Sequence, residues 1–369
     1  MATLITPHMI AAESLIVLEN NMVLAGLVHR DFSKEFKKVG STVSIRKPAT
    51  LTSGTVSGTV NTQTLTESSV DVVLDTHLDI TVEITSQELT LSMKDFSEQL
   101  IQPAMRGHAQ AIDRQLADKY TEIGGHYEVS STPAVGDVAG LEAVMDAQKV
   151  PLMDRRLVLH PMTKSGYMSL DAFLNADKRG DGGQALRKAE LGQVLGFDTY
   201  MDQNIQTHTI TCADSTGAID ATVAAAATAL AIDGITASAV IPVGSNIKVT
   251  GYDEWFVSNT AATASTGGTV TVGVAPAVTG PFANNSVVTI MPSGRANMAF
   301  HKNAIALVTA PLEAPLGGAQ ASVMNFRNIS ARVVYGYEQR TKKNLISLDI
   351  LLGVKVLDQL LAARFNDTR

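Results

Sequence analysis

Cysteine is almost absent from this chain of 369 residues. Cys212 stands alone, which excludes an internal disulfide and, with no CxxC or Cys/His cluster, a thiolate zinc site. A reducing compartment during synthesis fits that usage. Basic runs are scarce as well: the formal net charge is −7, and the electrostatic footprint of a protein that grips a phosphate backbone is missing. A clean hydrophobic run is lacking too. Ile5 to Val28 is apolar, but no Lys or Arg precedes His29, and Glu13, Glu19, Asn20 and Asn21 interrupt the stretch. It falls short of the roughly 20 apolar residues of a spanning helix, so neither a secretory leader nor a membrane segment is expected.

Catalytic and ligand motifs are missing at the spacing their chemistry demands. There is no GxSxG elbow, HExxH, Walker loop or GxGxxG. The nearest decoy is Asp177 to Lys188, where Asp177, Asp181 and Gly182 fall on calcium-loop positions. Arg179 and Lys188 occupy positions that require ligands, so a solvated loop is expected instead. The eight histidines include no pair at i, i+4, and His160 before Pro161 reads as a strand-end residue. Cys212 has no neighbouring base in sequence and reads as a small buried hydrophobe. Lys34, Lys37, Lys38, Arg46 and Lys47 interleave with Asp31 and Glu35, a pattern that suits ion pairs between subunits as well as it suits phosphate.

What is present is a chain of 45% apolar and 18% charged residues, which places it in the globular range with two or three packed units. Thr6 then Pro7 reads as an N-cap with proline at the first helical position. Met9, Ile10, Leu15, Ile16, Leu18 and Met22 follow at helical spacing, an amphipathic helix suited to its own core or to a neighbouring subunit. Thr42 to Thr66, rich in Thr, Ser, Val and Gly, suits an extended hairpin that buries little. Alternation then predicts one long strand from about Ser69 to Thr85. Ser92 caps a predicted helix of about 30 residues, about 45 Å long, with a kink expected at Pro103 and an end at Gly124 and Gly125.

Residues 133 to 207 read as an α/β unit: a helix over Gly136 to Gln148, a strand over Arg156 to His160, and helices over Met162 to Leu174 and Ala185 to Gln193. A strand-like stretch, Gly196 to Met201, closes it. From His208 to Pro292 only six residues are charged (Asp214, Asp220, Asp233, Lys248, Asp253 and Glu254). Short runs such as Asn246 to Val249, Thr269 to Val274 and Ser286 to Ile290 predict a small β-barrel or sandwich there. Ala304 to Val308 gives a short strand, Ser330 to Gln339 and Leu345 to Leu352 a long hairpin, and Val354 to Leu361 a last core-packed segment.

This order of parts resembles the major capsid proteins of tailed bacteriophages, specifically the podovirus coat-protein family with an inserted β domain, over nearly the whole chain. The resemblance is carried by Ile5-Thr6-Pro7 through Asn21, Ala25-Gly26-Leu27-Val28-His29-Arg30-Asp31-Phe32 and Val43-Ser44-Ile45-Arg46-Lys47-Pro48. It continues through Thr90 to Phe96, Arg155 to Leu159, Leu195 to Asp198 with Gln203-Asn204, Ala299 to Ala304 and Leu348 to Val354. The insertion is its least recognisable part.

The resemblance implies an α+β tailed-phage capsid fold. Its parts would be an N-terminal arm (1–35), an extended loop and strand (36–91), a peripheral-domain spine helix (92–132) and an axial domain (133–207). After these come an inserted barrel-like domain (208–292), the axial return (293–328) and the long peripheral strands with the C-terminus (329–369). It implies self-assembly through hexamers and pentamers into an icosahedral procapsid, around a scaffolding protein with a portal protein at one vertex. The head would enclose double-stranded DNA without sequence-specific binding, and there is room for a decoration protein. No reaction, cofactor, metal or membrane is implied, and the place of residence is the virion, assembled in the host cytoplasm. The implied contacts between subunits are Leu15, Leu18, Arg30, Asp31, Phe32, Arg46 and Lys47. An acidic chain suits a container, since strong attraction to DNA would hinder packaging and ejection. Two rival readings are an encapsulin-like nanocompartment shell, disfavoured by the insertion and the arm, and a hydrolase built on Cys212 or scattered histidines, disfavoured by the missing motifs.

Overall fold

Thr6 caps the first helix, α1 (Pro7–Asn21), its hydroxyl accepting from Met9 N at 3.4 Å with proline at the first helical position, as the sequence predicts. In this computed structural model, residues 6–30, 42–47, 68–84, 97–130, 132–175, 187–212, 216–315, 320–338, 340 and 343–368 are described. Two compact units emerge. One comprises Met1–Met22, His29–Ile112 and Ala306–Leu357, the other Val23–Val28, Asp113–Ile305 and Asp358–Arg369.

The predicted single strand from Ser69 to Thr85 is two strands. β1 (Thr42–Lys47) pairs antiparallel with β2 (Ser68–Val73), whereas β3 (Thr76–Ile84) pairs with a strand near the C-terminus. The break at Leu74 and Asp75 is where the backbone changes partner. Leu74, 1% exposed, stays in an apolar cluster with Val43, Ile45 and Val72, so the change of sheet costs no burial.

The predicted spine helix is helical over 97–122 in three registers: a π-turn (Ser97–Ile101), α2 (Gln102–Ala117) and a 3-10 turn (Asp118–Glu122). Its cap at Ser92 lies outside the described residues. The irregularity has a cause: Pro103 has no N–H to donate, and its ring crowds the carbonyl four residues back, that of Gln99, which the wide π-turn relieves. The α-helical part spans about 24 Å, shorter than expected. Its stripe is nonetheless buried at Met105, Ala109, Ile112 and Leu116, and His108 Nε2 lies 2.9 Å from Leu348 O, fixing the helix on the sheet of its unit.

The second unit is built on a seven-stranded sheet. β4 (Gly125–His126) is followed by α3 (Val135–Ala147), β5 (Arg155–Leu159) and α4 (Pro161–Met168), then β6 (Gln193–Val194), β7 (Phe197–Met201) and β8 (Thr207–His208). The helix expected over Met162 to Leu174 breaks at Ser169 and Leu170 into α4 and a turn at Asp171–Leu174. The helix expected over Ala185 to Gln193 lies partly outside the described residues, and Gln193 opens β6 instead.

A closed six-stranded barrel follows, and it meets the expectation of a small β module. β9 (Thr216–Ile219), β10 (Ala229–Asp233), β12 (Asn246–Val249), β13 (Trp255–Ser258), β15 (Val270–Ala275) and β16 (Val287–Ile290) form it. A separate pair, β11 (Val240–Ile241) with β14 (Ala262–Thr263), lies beside it. Alternation explains the closure: Leu230 and Ile232, Ile247 and Val249, and Val270, Val272 and Val274 all point inward. A closed barrel needs no charge to protect an edge, which accounts for the sparse charge of this segment.

β17 (Gly294–His301) returns to the sheet between β5 and β22 (Ala362–Asp367), giving the order β4-β22-β17-β5-β7-β6 with β8 also on β17. In the first unit, β18 (Ile305–Ala310), β19 (Gln320–Phe326), β20 (Ile329–Glu338) and β21 (Lys343–Val356) join β3 in the order β18-β21-β20-β19, with β3 on β21. The predicted terminal hairpin is β20 and β21, in which Arg332 faces Asp349 in register and donates to it from Nε at 2.8 Å. The segment expected as an axial return, 293–328, thus supplies strands to both sheets, and the last strand belongs to the seven-stranded one.

Candidate assembly surfaces

α1 carries two of the residues expected to lie on neighbouring subunits, and both are buried within their own chain. Leu15 is 2% exposed and Leu18 fully buried, because the helix packs on β19, β20 and the π-turn of its own chain. The apolar stripe is consumed inside the subunit, leaving Ile16, 49% exposed, on the outer side. Arg30 is engaged within the chain as well: its guanidinium donates to both carboxylate oxygens of Glu19, at 3.0 and 3.3 Å. Glu19 also receives Arg327 at 3.5 Å. Asp31 and Phe32 lie outside the described residues. Arg46 and Lys47 end β1 opposite Ser69 and Ser68, their side chains undescribed. Among the described residues, the structure thus places Leu15, Leu18 and Arg30 in one region.

Sequence reasoning missed a buried polar junction between the barrel and the seven-stranded sheet. Arg364 on β22 is fully buried. Its guanidinium lies 5.1 Å from the Tyr120 ring centroid and donates to Gly244 O in the turn before β12. Burial lowers its pKa to about 9, the mark of a cation held without a carboxylate partner. Beside it runs a directional relay. The Ser245 hydroxyl donates to Pro242 O at 2.8 Å, leaving its oxygen to accept from His208 Nε2–H at 3.2 Å. His208 Nδ1 in turn accepts from the Tyr120 hydroxyl at 3.2 Å. That assignment requires a neutral imidazole, and burial together with the Arg364 charge lowers the His208 pKa to about 4. Asn246 Nδ2 donates to Gly124 O at 3.0 Å, and His126 packs 5.0 Å from the Trp255 ring. Gly244, at φ 85°, is required here: a Cβ would sit 2.8 Å from Thr121 Cα. No local signal marks these residues, since Gly244 and Arg364 are 120 positions apart.

A second buried group fixes the short segment Val23–Val28. Asp113 on α2 accepts from Val23 N at 2.8 Å and Ala25 N at 3.1 Å. Burial pushes its pKa up to about 7; the Val23 amide opposes this, and the nearby Asp202 adds to it. A carboxyl whose folded pKa exceeds its unfolded value binds its proton more tightly in the folded state. Stability is therefore fully present below about pH 4 and is lost as pH rises toward 7, by about 1.4 kcal/mol per unit at most. Asp113→Asn, which cannot titrate, is expected to lack that slope. Urea midpoints at pH 5, 6, 7 and 8 check it, and parallel pH profiles for the two proteins would count against the latch.

Among the described residues, no three His, Cys, Asp or Glu side chains are grouped as metal ligands. Cys212 packs, partly buried, on the barrel core. His160 ends β5 and caps α4, Nδ1 accepting from Met162 N at 3.2 Å. The calcium-loop decoy lies largely outside the described residues. A groove of about 530 Å³ opens at the β6–β7 edge, lined by Lys164, Glu190, Leu191, Gln193, Tyr200 and Met201 among others.

No protein-family model and no curated protein matches the chain. Solved structures do. A structure from Mycobacterium phage Che8 superposes with a TM-score of 0.52 at 15% identity, covering 94% of this chain and 92% of that one. The capsid of Ralstonia phage GP4 gives 0.49 at 9% identity, covering 92% and 87%. The mature capsid of bacteriophage PhiM1 gives 0.48 at 10% identity, covering 95% and 88%.

Proposed function

We propose that this chain, which has the α+β tailed-phage capsid fold, is the major capsid protein of a tailed bacteriophage. Copies of it close through hexamers and pentamers into an icosahedral head around double-stranded DNA. The observation that supports this reading best is the agreement of fold over 94% of the chain. A partial match could be a shared domain, whereas one over 94% of the chain leaves little of it for another activity. In this reading residues 1–35 are the arm, 36–91 the extended loop and 208–292 the inserted domain. Asp31, Phe32, Arg46 and Lys47 contact neighbours, and scaffolding and portal proteins guide assembly in the host cytoplasm. The subunit works as architecture and catalyses nothing.

Many modest interfaces that close on one another stabilise such a shell, and the net charge of −7 keeps packaged DNA loosely held. Electron microscopy with sedimentation of the purified chain, alone and with a candidate scaffolding protein, is expected to give uniform closed shells tens of nanometres across. Monomers in both preparations would weigh against the reading. Shells filled with enzyme cargo and no DNA in the native particle would replace it with a nanocompartment.

A further inference from the structure

The turn joining α3 to β5 is held in place from inside the protein. Lys149 and Asp154 bound it, both in the left-handed region at φ 60° and 56°, where a residue with a side chain sits at a cost. Val150 is buried beneath it. Arg155, 2% exposed, donates from Nε to Pro151 O at 2.9 Å and from Nη2 to Val150 O and Asp146 Oδ1, each at 2.6 Å. A buried arginine thus fixes the path of a turn whose tip is Leu152 and Met153, 73% and 79% exposed. They are the two most exposed large apolar side chains among the described residues. Turns that meet only water favour Gly, Asn, Asp and Ser; an apolar tip on a pre-set frame is what a docking anchor requires.

A receiving surface exists on the same unit. The groove at the β6–β7 edge has Tyr200 and Met201 for apolar contact, with the buried Leu191 beneath, and Lys164, Glu190 and Asp198 among its charged groups. Those charges complement the exposed Asp154 and Lys149 that bound the tip.

We propose that Pro151–Met153 of one copy docks into the β6–β7 groove of the next. This rests on the capsid reading and names one contact of it. Tip and groove are different patches of one chain, so the contact is heterologous, and heterologous contacts close into rings when the rotation permits. A ring is what a hexamer or pentamer needs.

The test uses the full chain with Cys212→Ala and two single-cysteine versions, Met153→Cys and Gln193→Cys, mixed in equal amounts, assembled and oxidised. Disulfide-linked dimers are expected in the mixture and not in either version alone. Leu152→Ser with Met153→Ser is expected to cut assembly by about tenfold or more at an unchanged melting temperature. Shells that form without the cross-link overturn this contact and leave the capsid reading standing. A cross-link between copies that never close into shells keeps the contact and removes the reading. Neither shells nor cross-link overturns both.

Discussion

Replacing Arg364 by alanine is expected to destabilise the second unit by about 3 to 5 kcal/mol, while replacing it by methionine costs far less. Alanine removes a large, fully buried side chain, opens a cavity between barrel and sheet, strips the Tyr120 ring of its stacked cation and leaves Gly244 O without its donor. Methionine fills most of the same volume and carries no charge into a site where, among the described residues, no carboxylate balances it. The chain's one tryptophan reports directly: Trp255 lies at the junction, with Lys248 Nζ 5.1 Å from its ring centroid and His126 on another side. Denaturant titration followed by its fluorescence measures both variants. Equal losses would show that the guanidinium's hydrogen bond, not its volume, holds the junction.

Two kinds of element were legible in the sequence. Those with a chemical marker at the end were found, as Thr6 and Pro7 show for α1. Those with one wet face were found too: β3 alternates Leu78, Ile80 and Val82 with Asp79, Thr81 and Glu83, and the first set is the more buried. β17 and β22 escaped because they are buried almost throughout, so no alternation exists to read. β22 also opens Ala-Ala-Arg-Phe, which favours helix by composition. The length of the strand from Ser69 was overread for the opposite reason. Its inward positions keep the same phase across Leu74 and Asp75, with Thr76 the one polar member between Leu74 and Leu78, and periodicity carries no record of which partner a strand has. The junction around Arg364 was invisible because its members come from the 3-10 turn after α2, β8, the barrel and β22, and only folding places them together.

The same limit decides how α1 must be tested. An amphipathic helix at a terminus looks alike whether its apolar side faces home or a neighbour, and here Leu18 faces home. Leu18→Asp is expected to unfold the first unit: it forfeits about 2 to 5 kcal/mol of packing and adds the cost of burying an unpaired carboxylate, against a total stability of about 5 to 15 kcal/mol. Loss of shells in that variant, or on deleting α1, therefore reports folding and not contact. Ile16→Asp separates the two, because Ile16 is 49% exposed in the subunit. It is expected to melt within a degree or two of the unchanged chain, as surface changes of about 0.5 kcal/mol or less do, and yet to assemble poorly. Circular dichroism melting beside sedimentation gives both readings on one sample. Normal melting with normal shells would remove the outer face of α1 from the contacts between copies, and would leave the helix the single task of covering β19 and β20.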